Sequence, residues 1–247
     1  MSQYQYQAII FDVNGTLLGY EDPLGFEKRF AQACQDLGDP VTVDQVRQVF
    51  PRLMEEWTGV GAQGFRRVSS GEQFRRTMAG WYQRMLEALG VQGDLGQKAD
   101  ALYERFVVRE GFMPLFSDVK DTLEHLRSRG IRLGVLSNAP PHLEDTLKQH
   151  GIHGYFDFFV VSSLVGLEKP EPAIFRLAIA EARCPREHIL YVGDNPDVDV
   201  RGAQAVGLTA ILIDRHGRWP QADCVTIRSL SELLTPDLLA AQREVKP

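Results

Sequence analysis

The chain predicts an α/β protein: a mainly parallel sheet covered by helices, with a helical bundle inserted near its beginning. Three observations lead there. From residue 112 onward, short apolar runs alternate with helical stretches, the pattern of strands joined by helical crossovers. From about residue 24 to 109 the apolar residues instead recur every three or four positions, with no strand-like run. Ahead of that bundle stands an isolated apolar run, Ala8-Ile9-Ile10-Phe11, of the length and composition of a buried strand. This first strand belongs with the later ones, so the expected units are residues 1–19 with 111–247, and 20–110.

Taken in order, the first strand runs into Asp12-Val13-Asn14-Gly15-Thr16, where Gly15 frees the backbone for a sharp turn. Four amphipathic helices follow. Their stripes are Phe26, Phe30, Cys34 and Leu37; Val43, Val46, Val49, Leu53 and Trp57; Phe74, Met78, Trp81, Met85 and Leu89; and Leu95, Ala99, Leu102 and Phe106. Pro51 is expected to break or kink the second helix. A glycine-rich loop over residues 59–64 leads into Arg66 and Arg67.

In the second region, 119–129 reads as a helix stopped by Gly130, and Ile131-Arg132-Leu133-Gly134-Val135-Leu136 as a strand ending at Ser137-Asn138. A short helix over 143–150 precedes a strand over 156–161. After the Lys169-Pro170 turn come a helix over 172–182, a strand over 189–192 ending at Gly193-Asp194, a helix over 198–206 and a strand over 209–213. Internal repeats and low-complexity tracts are absent.

Composition sets the outer bounds. The 247 residues are 44% hydrophobic and 24% charged, ordinary for a globular protein in water, and the net charge of −6 with no basic run argues against nucleic acid or an anionic membrane as main partner. Cys34, Cys184 and Cys224 form neither a C-x-x-C pair nor a disulfide framework and suit a reducing compartment. The polar N-terminus does not read as a signal peptide, and apolar runs fall short of the roughly 18–20 residues that span a bilayer. A cytoplasmic location is expected.

Carboxyl ends of parallel strands share one edge, where such sheets bind ligands. Asp12, Ser137-Asn138 and Gly193-Asp194 should therefore meet, with Lys169 on a loop of the same half. Taken singly, each is an ordinary turn or helix cap, and Asn195-Pro196 reads equally well as an N-cap with proline at the first turn. Their order together carries more. Asp12-Val13-Asn14-Gly15-Thr16, Leu136-Ser137-Asn138, Lys169-Pro170 and Gly193-Asp194-Asn195-Pro196-Asp197-Val198-Asp199, continued by Arg201-Gly202-Ala203, resemble the four motifs of the haloacid dehalogenase superfamily of hydrolases. The resemblance spans nearly the whole chain and implies a Rossmann-like core, with the inserted bundle as a cap over the site.

It also implies roles. Asp12 would be the nucleophile forming an aspartyl-phosphate. Asp12, Asp194 and the Asn14 backbone carbonyl would bind Mg²⁺, with Asp199 as an additional or outer ligand. Lys169 would steady Asp12 and the phosphoryl oxygens, and Ser137 with Asn138 would hydrogen-bond those oxygens. Thr16 is assigned with Arg66 and Arg67 to substrate binding; residues 60–84 hold five arginines against the single acid Glu72, a balance suited to steering an anion, or simply to a solvated helix face.

One position departs from the phosphatase pattern. Asn14 stands where those enzymes carry a second aspartate that protonates the leaving oxygen, and an amide cannot exchange that proton near neutral pH. Three readings follow: a Mg²⁺-dependent phosphatase on a small phosphorylated metabolite, slow on poor leaving groups; a metal-independent 2-haloacid dehalogenase, a branch that also replaces this aspartate; or a phosphometabolite-binding protein with little catalysis. The acidic group of Asp194, Asp197 and Asp199 counts against the second, because carboxylates beside Asp12 without a cation would blunt it as a nucleophile.

Overall fold

A computed structural model describes residues 6–58, 70–109 and 113–235. Six strands form one wholly parallel sheet in the order β3-β2-β1-β4-β5-β6: β1 Ala8–Phe11, β2 Arg132–Ser137, β3 Phe158–Val161, β4 Ile189–Gly193, β5 Thr209–Ile213 and β6 Thr226–Ile227. The order reverses between β1 and β4, so the crevice expected of such sheets opens at their carboxyl ends.

Why these segments become strands is visible in their burial. Alternate residues pack on opposite faces, and both faces are covered. Ile9, Phe11, Leu190 and Val192 join the apolar cluster under α5 (Val119–Ser128) and α6 (Leu143–Gln149). Ala8, Ile10, Ile189 and Tyr191 join the cluster under α8 (Pro172–Ala182) and α9 (Arg201–Gln204), while the one-turn α7 (Ser162–Val165) follows β3. Each large aliphatic or aromatic side chain so buried contributes about 1.5–3 kcal/mol.

Between β1 and α5 lie α1 (Gly25–Asp36), α2 (Val43–Thr58), α3 (Gly71–Ala88) and α4 (Leu95–Tyr103), followed by a π-helical stretch, Glu104–Arg109. Their stripes, apart from Trp57, whose side chain lies outside the described residues, converge on an apolar cluster of their own, with Phe30, Cys34, Val46, Leu53, Phe74, Met78, Trp81, Met85, Leu102 and Phe106 buried. Ser70 and Asp94 cap α3 and α4 by accepting from the backbone N–H of Gln73 and Gln97. The chain leaves and re-enters the core along paired segments: Gly19 N donates to Pro114 O at 2.8 Å, and Phe116 N to Leu17 O at 3.1 Å.

Several expectations change. Of the break or kink expected at Pro51, the break does not occur, since α2 continues to Thr58. Proline removes one intrahelical hydrogen bond, and the buried Val46 and Leu53 on either side hold the flanking turns to the cluster. Leu37 is 36% exposed and lies outside the cluster, as the C-cap of α1. The strand expected from residue 156 starts at Phe158, because His153–Tyr155 forms a 3₁₀ turn and Asp157 N bonds Leu133 O. The helix expected over 198–206 is a π turn, Pro196–Val200, followed by α9. The glycine-rich loop at 59–64 lies outside the described residues. None of the described helices is long and apolar enough to cross a membrane.

Candidate active site

Asp12 is the first residue beyond β1, Ser137 ends β2, and Asp194 directly follows β4, so the parallel register brings them to one edge. Lys169 arrives from the loop ahead of α8. Asn138 fixes that loop through a reciprocal pair: its Nδ2 donates to Lys169 O at 2.9 Å, and its Oδ1 accepts from Lys169 N at 2.8 Å. Asn138 thus orients the backbone that delivers the lysine.

The Lys169 ammonium sits between two carboxylates. It is 2.6 Å from Asp12 Oδ1 and 2.6 Å from Asp199 Oδ1, and it donates to the Tyr191 hydroxyl at 3.1 Å. Tyr191 in turn donates to Asp199 Oδ1 at 2.8 Å, while Asp199 Oδ2 accepts from Asn195 N at 3.1 Å. Both oxygens of Asp199 are engaged, which makes it the counter-charge that holds Lys169 in place. Ser137 Oγ donates to Asp12 Oδ1 at 3.1 Å. Tyr191 reads from sequence only as an apolar strand residue, and nothing in that pattern discloses its hydroxyl's part in the network.

Two glycines make room for the carboxylates. Gly15 has φ +80°, and a Cβ there would lie 2.2 Å from Asp194 Oδ2. A Cβ on Gly193 would fall 2.5 Å from Asp199 Cγ. Side chains at either position would displace the acids. The Asn195-Pro196 stretch is also the helix cap it resembles, since Asn195 Oδ1 accepts from Asp197 N and Val198 N.

Oxygens of Asp12, Asp194 and Asp199 lie within 4.8 Å of one another, close enough to share one cation. Burial pushes the Asp12 carboxyl up to about 6, with Lys169 pulling it back and Asp199 adding to the rise. Burial likewise raises Asp194 to about 7, reinforced by Asp12 and Asp199 and opposed by Arg218. Hard carboxylate oxygens, three groups against the two cations Lys169 and Arg218, fit a divalent cation that prefers carboxylate and carbonyl ligands.

A sequence model of the haloacid dehalogenase-like hydrolases matches residues 6–207. The chain belongs to that family. Among relatives of this haloacid dehalogenase-like hydrolase, a phosphoserine phosphatase of Thermus thermophilus is 35% identical over 130 residues, about half of each chain (52% and 52%). A glyceraldehyde 3-phosphate phosphatase of Methanothermobacter thermautotrophicus is 28% identical over 237 residues, 94% of this chain and 96% of that one. The solved structure of the hydrolase YfnB from Bacillus subtilis shares the fold, with a TM-score of 0.69 at 22% identity over 93% of this chain and 97% of the other.

The remaining sequence candidates are placed as follows. Asn14 is half-buried at the turn after β1, where Gly15 N donates to Leu18 O at 2.7 Å. Thr16 is fully buried; its Oγ1 has no hydrogen-bond partner among the described residues, and its carbonyl accepts from Arg215 at 2.8 Å. Arg66 and Arg67 lie outside the described residues. Of the other arginines in that stretch, Arg75 pairs with Asp100 at 3.0 Å and Arg76 with Glu72 at 2.9 Å.

Proposed function

We propose that this hydrolase is a Mg²⁺-dependent phosphatase acting on a small phosphorylated metabolite through an aspartyl-phosphate on Asp12. The observation that supports it most is the grip on Asp12: Lys169 and Ser137 both hold Oδ1, with the Asp194 and Asp199 oxygens alongside. Asp12, Asp194 and the Asn14 carbonyl would hold the ion, with Asp199 nearby. When bound, Mg²⁺ supplies the positive charge that lets two anions approach.

The residues then divide the work. With Oδ1 tethered, Oδ2 of Asp12 attacks phosphorus, and the bond to the ester oxygen breaks. Lys169 balances charge on the phosphoryl oxygens as a point cation, and Ser137, with the Asn138 backbone, donates to them. Water then cleaves the acyl phosphate and regenerates the carboxylate. Asn14 has no proton to give the leaving oxygen, so aryl and acyl phosphates turn over faster than alkyl esters. Residues 20–110 act as the cap over residues 1–19 and 111–247, and Arg66 and Arg67 favour an anionic substrate. Cytoplasmic metabolites are the natural substrate pool for a chain of this character.

A screen of phosphorylated metabolites and 2-haloacids, with and without Mg²⁺, on the wild type and Asp12→Asn tests this reading. Phosphate release that disappears with chelator and in Asp12→Asn is expected. Haloacid turnover undiminished by chelator would replace it with the dehalogenase reading. That alternative is weaker because the Asp194 and Asp199 carboxylates crowd Asp12, and without a cation to neutralise them they repel a second anion approaching it. Cation and phosphate binding without turnover would leave a binding protein.

A further inference from the structure

Lys169 is committed to Asp12 and Asp199, and the third carboxylate has a different partner. Arg218 Nη2 donates to Asp194 Oδ2 at 2.7 Å. The Asp194 side chain is 19% exposed and that of Arg218 is 52% exposed, so the pair lies at the rim of the acidic cluster.

The loop that carries Arg218 is firmly built. Asp214, 3% exposed and immediately after β5, accepts from Arg218 N at 2.8 Å and from Trp219 N at 2.9 Å. Arg215 anchors the same loop to the turn after β1, donating to Thr16 O at 2.8 Å and to Asp118 Oδ1 at 3.0 Å, with its guanidinium 3.8 Å above the Phe116 ring. A buried carboxylate and a second arginine thus aim Arg218 across the sheet edge. Gly15 closes the other side of Asp194, since a Cβ there would overlap Oδ2.

We infer that Arg218 is a tethered cation that competes with the divalent ion for Asp194 and so sets the affinity of the metal site. Three carboxylates face two side-chain cations in this cluster, so Arg218 already supplies part of the positive charge that a divalent ion brings. An ion seated among the three acids also meets the guanidinium at short range in a partly desolvated setting, where like charges repel appreciably. Both effects hold the site below the affinity its three acids alone would give.

This inference rests on the cation-site reading of the cluster and is independent of any turnover. The test is Mn²⁺ binding to the full chain, followed by the loss of the free-ion spectroscopic signal at fixed pH and ionic strength. Arg218→Gln keeps a hydrogen-bond donor and removes the charge; it is expected to bind Mn²⁺ roughly tenfold tighter than wild type. Arg218→Lys keeps the charge and is expected to stay within about threefold of wild type. Arg218→Gln affinity equal to or below wild type, or no Mn²⁺ binding by either protein, overturns the inference. So does Arg218→Lys binding as tightly as Arg218→Gln. Because affinity is read directly, a wild type that binds Mn²⁺ but releases no phosphate defeats the phosphatase reading alone.

Discussion

At the carboxyl edge of the sheet, Asp12, Lys169 and Asp199 are 5%, 5% and 2% exposed, and the lysine donates to both acids. In the helical insert, Arg76 and Glu72 pair with side chains 79% and 60% exposed, and the buried cluster beneath them is apolar and aromatic. One region keeps charge in its interior, held by contacts far apart in sequence. The other turns most of its charge to solvent, with Glu27 and the Lys98–Asp39 pair as exceptions, and is assembled mostly from local helical contacts. Buried charge is tolerated only where every charge has a partner, so the sheet edge is an all-or-nothing arrangement while the insert is permissive.

The sharpest way to break this contrast is to remove one partner. Lys169→Ala leaves Asp12 and Asp199 buried against each other, and a stability loss of about 3–5 kcal/mol is expected in chemical denaturation. Next in size is Asn14→Asp. Supplying a proton donor at that turn is expected to raise p-nitrophenyl phosphate turnover by about 10²-fold in a folded, metal-binding variant. Unchanged or lower turnover would count against the role given to Asn14.

A third test uses pH. Asp12 and Asp194 are pushed up to about 6 and about 7, so between pH 4 and 7 the folded chain holds protons that the unfolded chain has released. Stability from these two groups therefore falls as pH rises through that window. Without added divalent cation, the melting temperature is expected to drop by a few degrees from pH 5 to pH 8. Saturating Mg²⁺ should recover it, and Asp194→Asn should show a smaller drop. The smallest effect belongs to the insert: Arg76→Ala is expected to change stability by less than about 0.5 kcal/mol, because its pair is exposed and within one helix.

What could be read from sequence followed the same division. The runs that become β1, β2, β4 and β5 are legible because strands covered on both faces must be apolar throughout. The convergence of Asp12, Ser137, Lys169 and Asp194 follows from parallel topology, together with the family resemblance. Less legible were features fixed by single side chains. The two-residue β6 has no period to detect, and the π turn after Asn195 depends on Asp199 turning back to Asn195 N. The partnership of Asp199 with Lys169, the hydroxyl of Tyr191 and the reach of Arg218 are contacts between segments that sequence spacing does not relate. Arg218 in particular follows a glycine in a polar loop, where the ordinary expectation is solvent.

The pairing of residues 17–19 with 114–116 has an architectural consequence. Because the outgoing and incoming segments are bonded to each other at the core, the chain could pass from one to the other through a tight turn without disturbing the sheet. The sheet edge around Asp12 and the helical insert are thus joined like a socket and an exchangeable fitting. A different set of helices, spliced in at the same two points, would leave Asp12, Lys169 and Asp199 where they are.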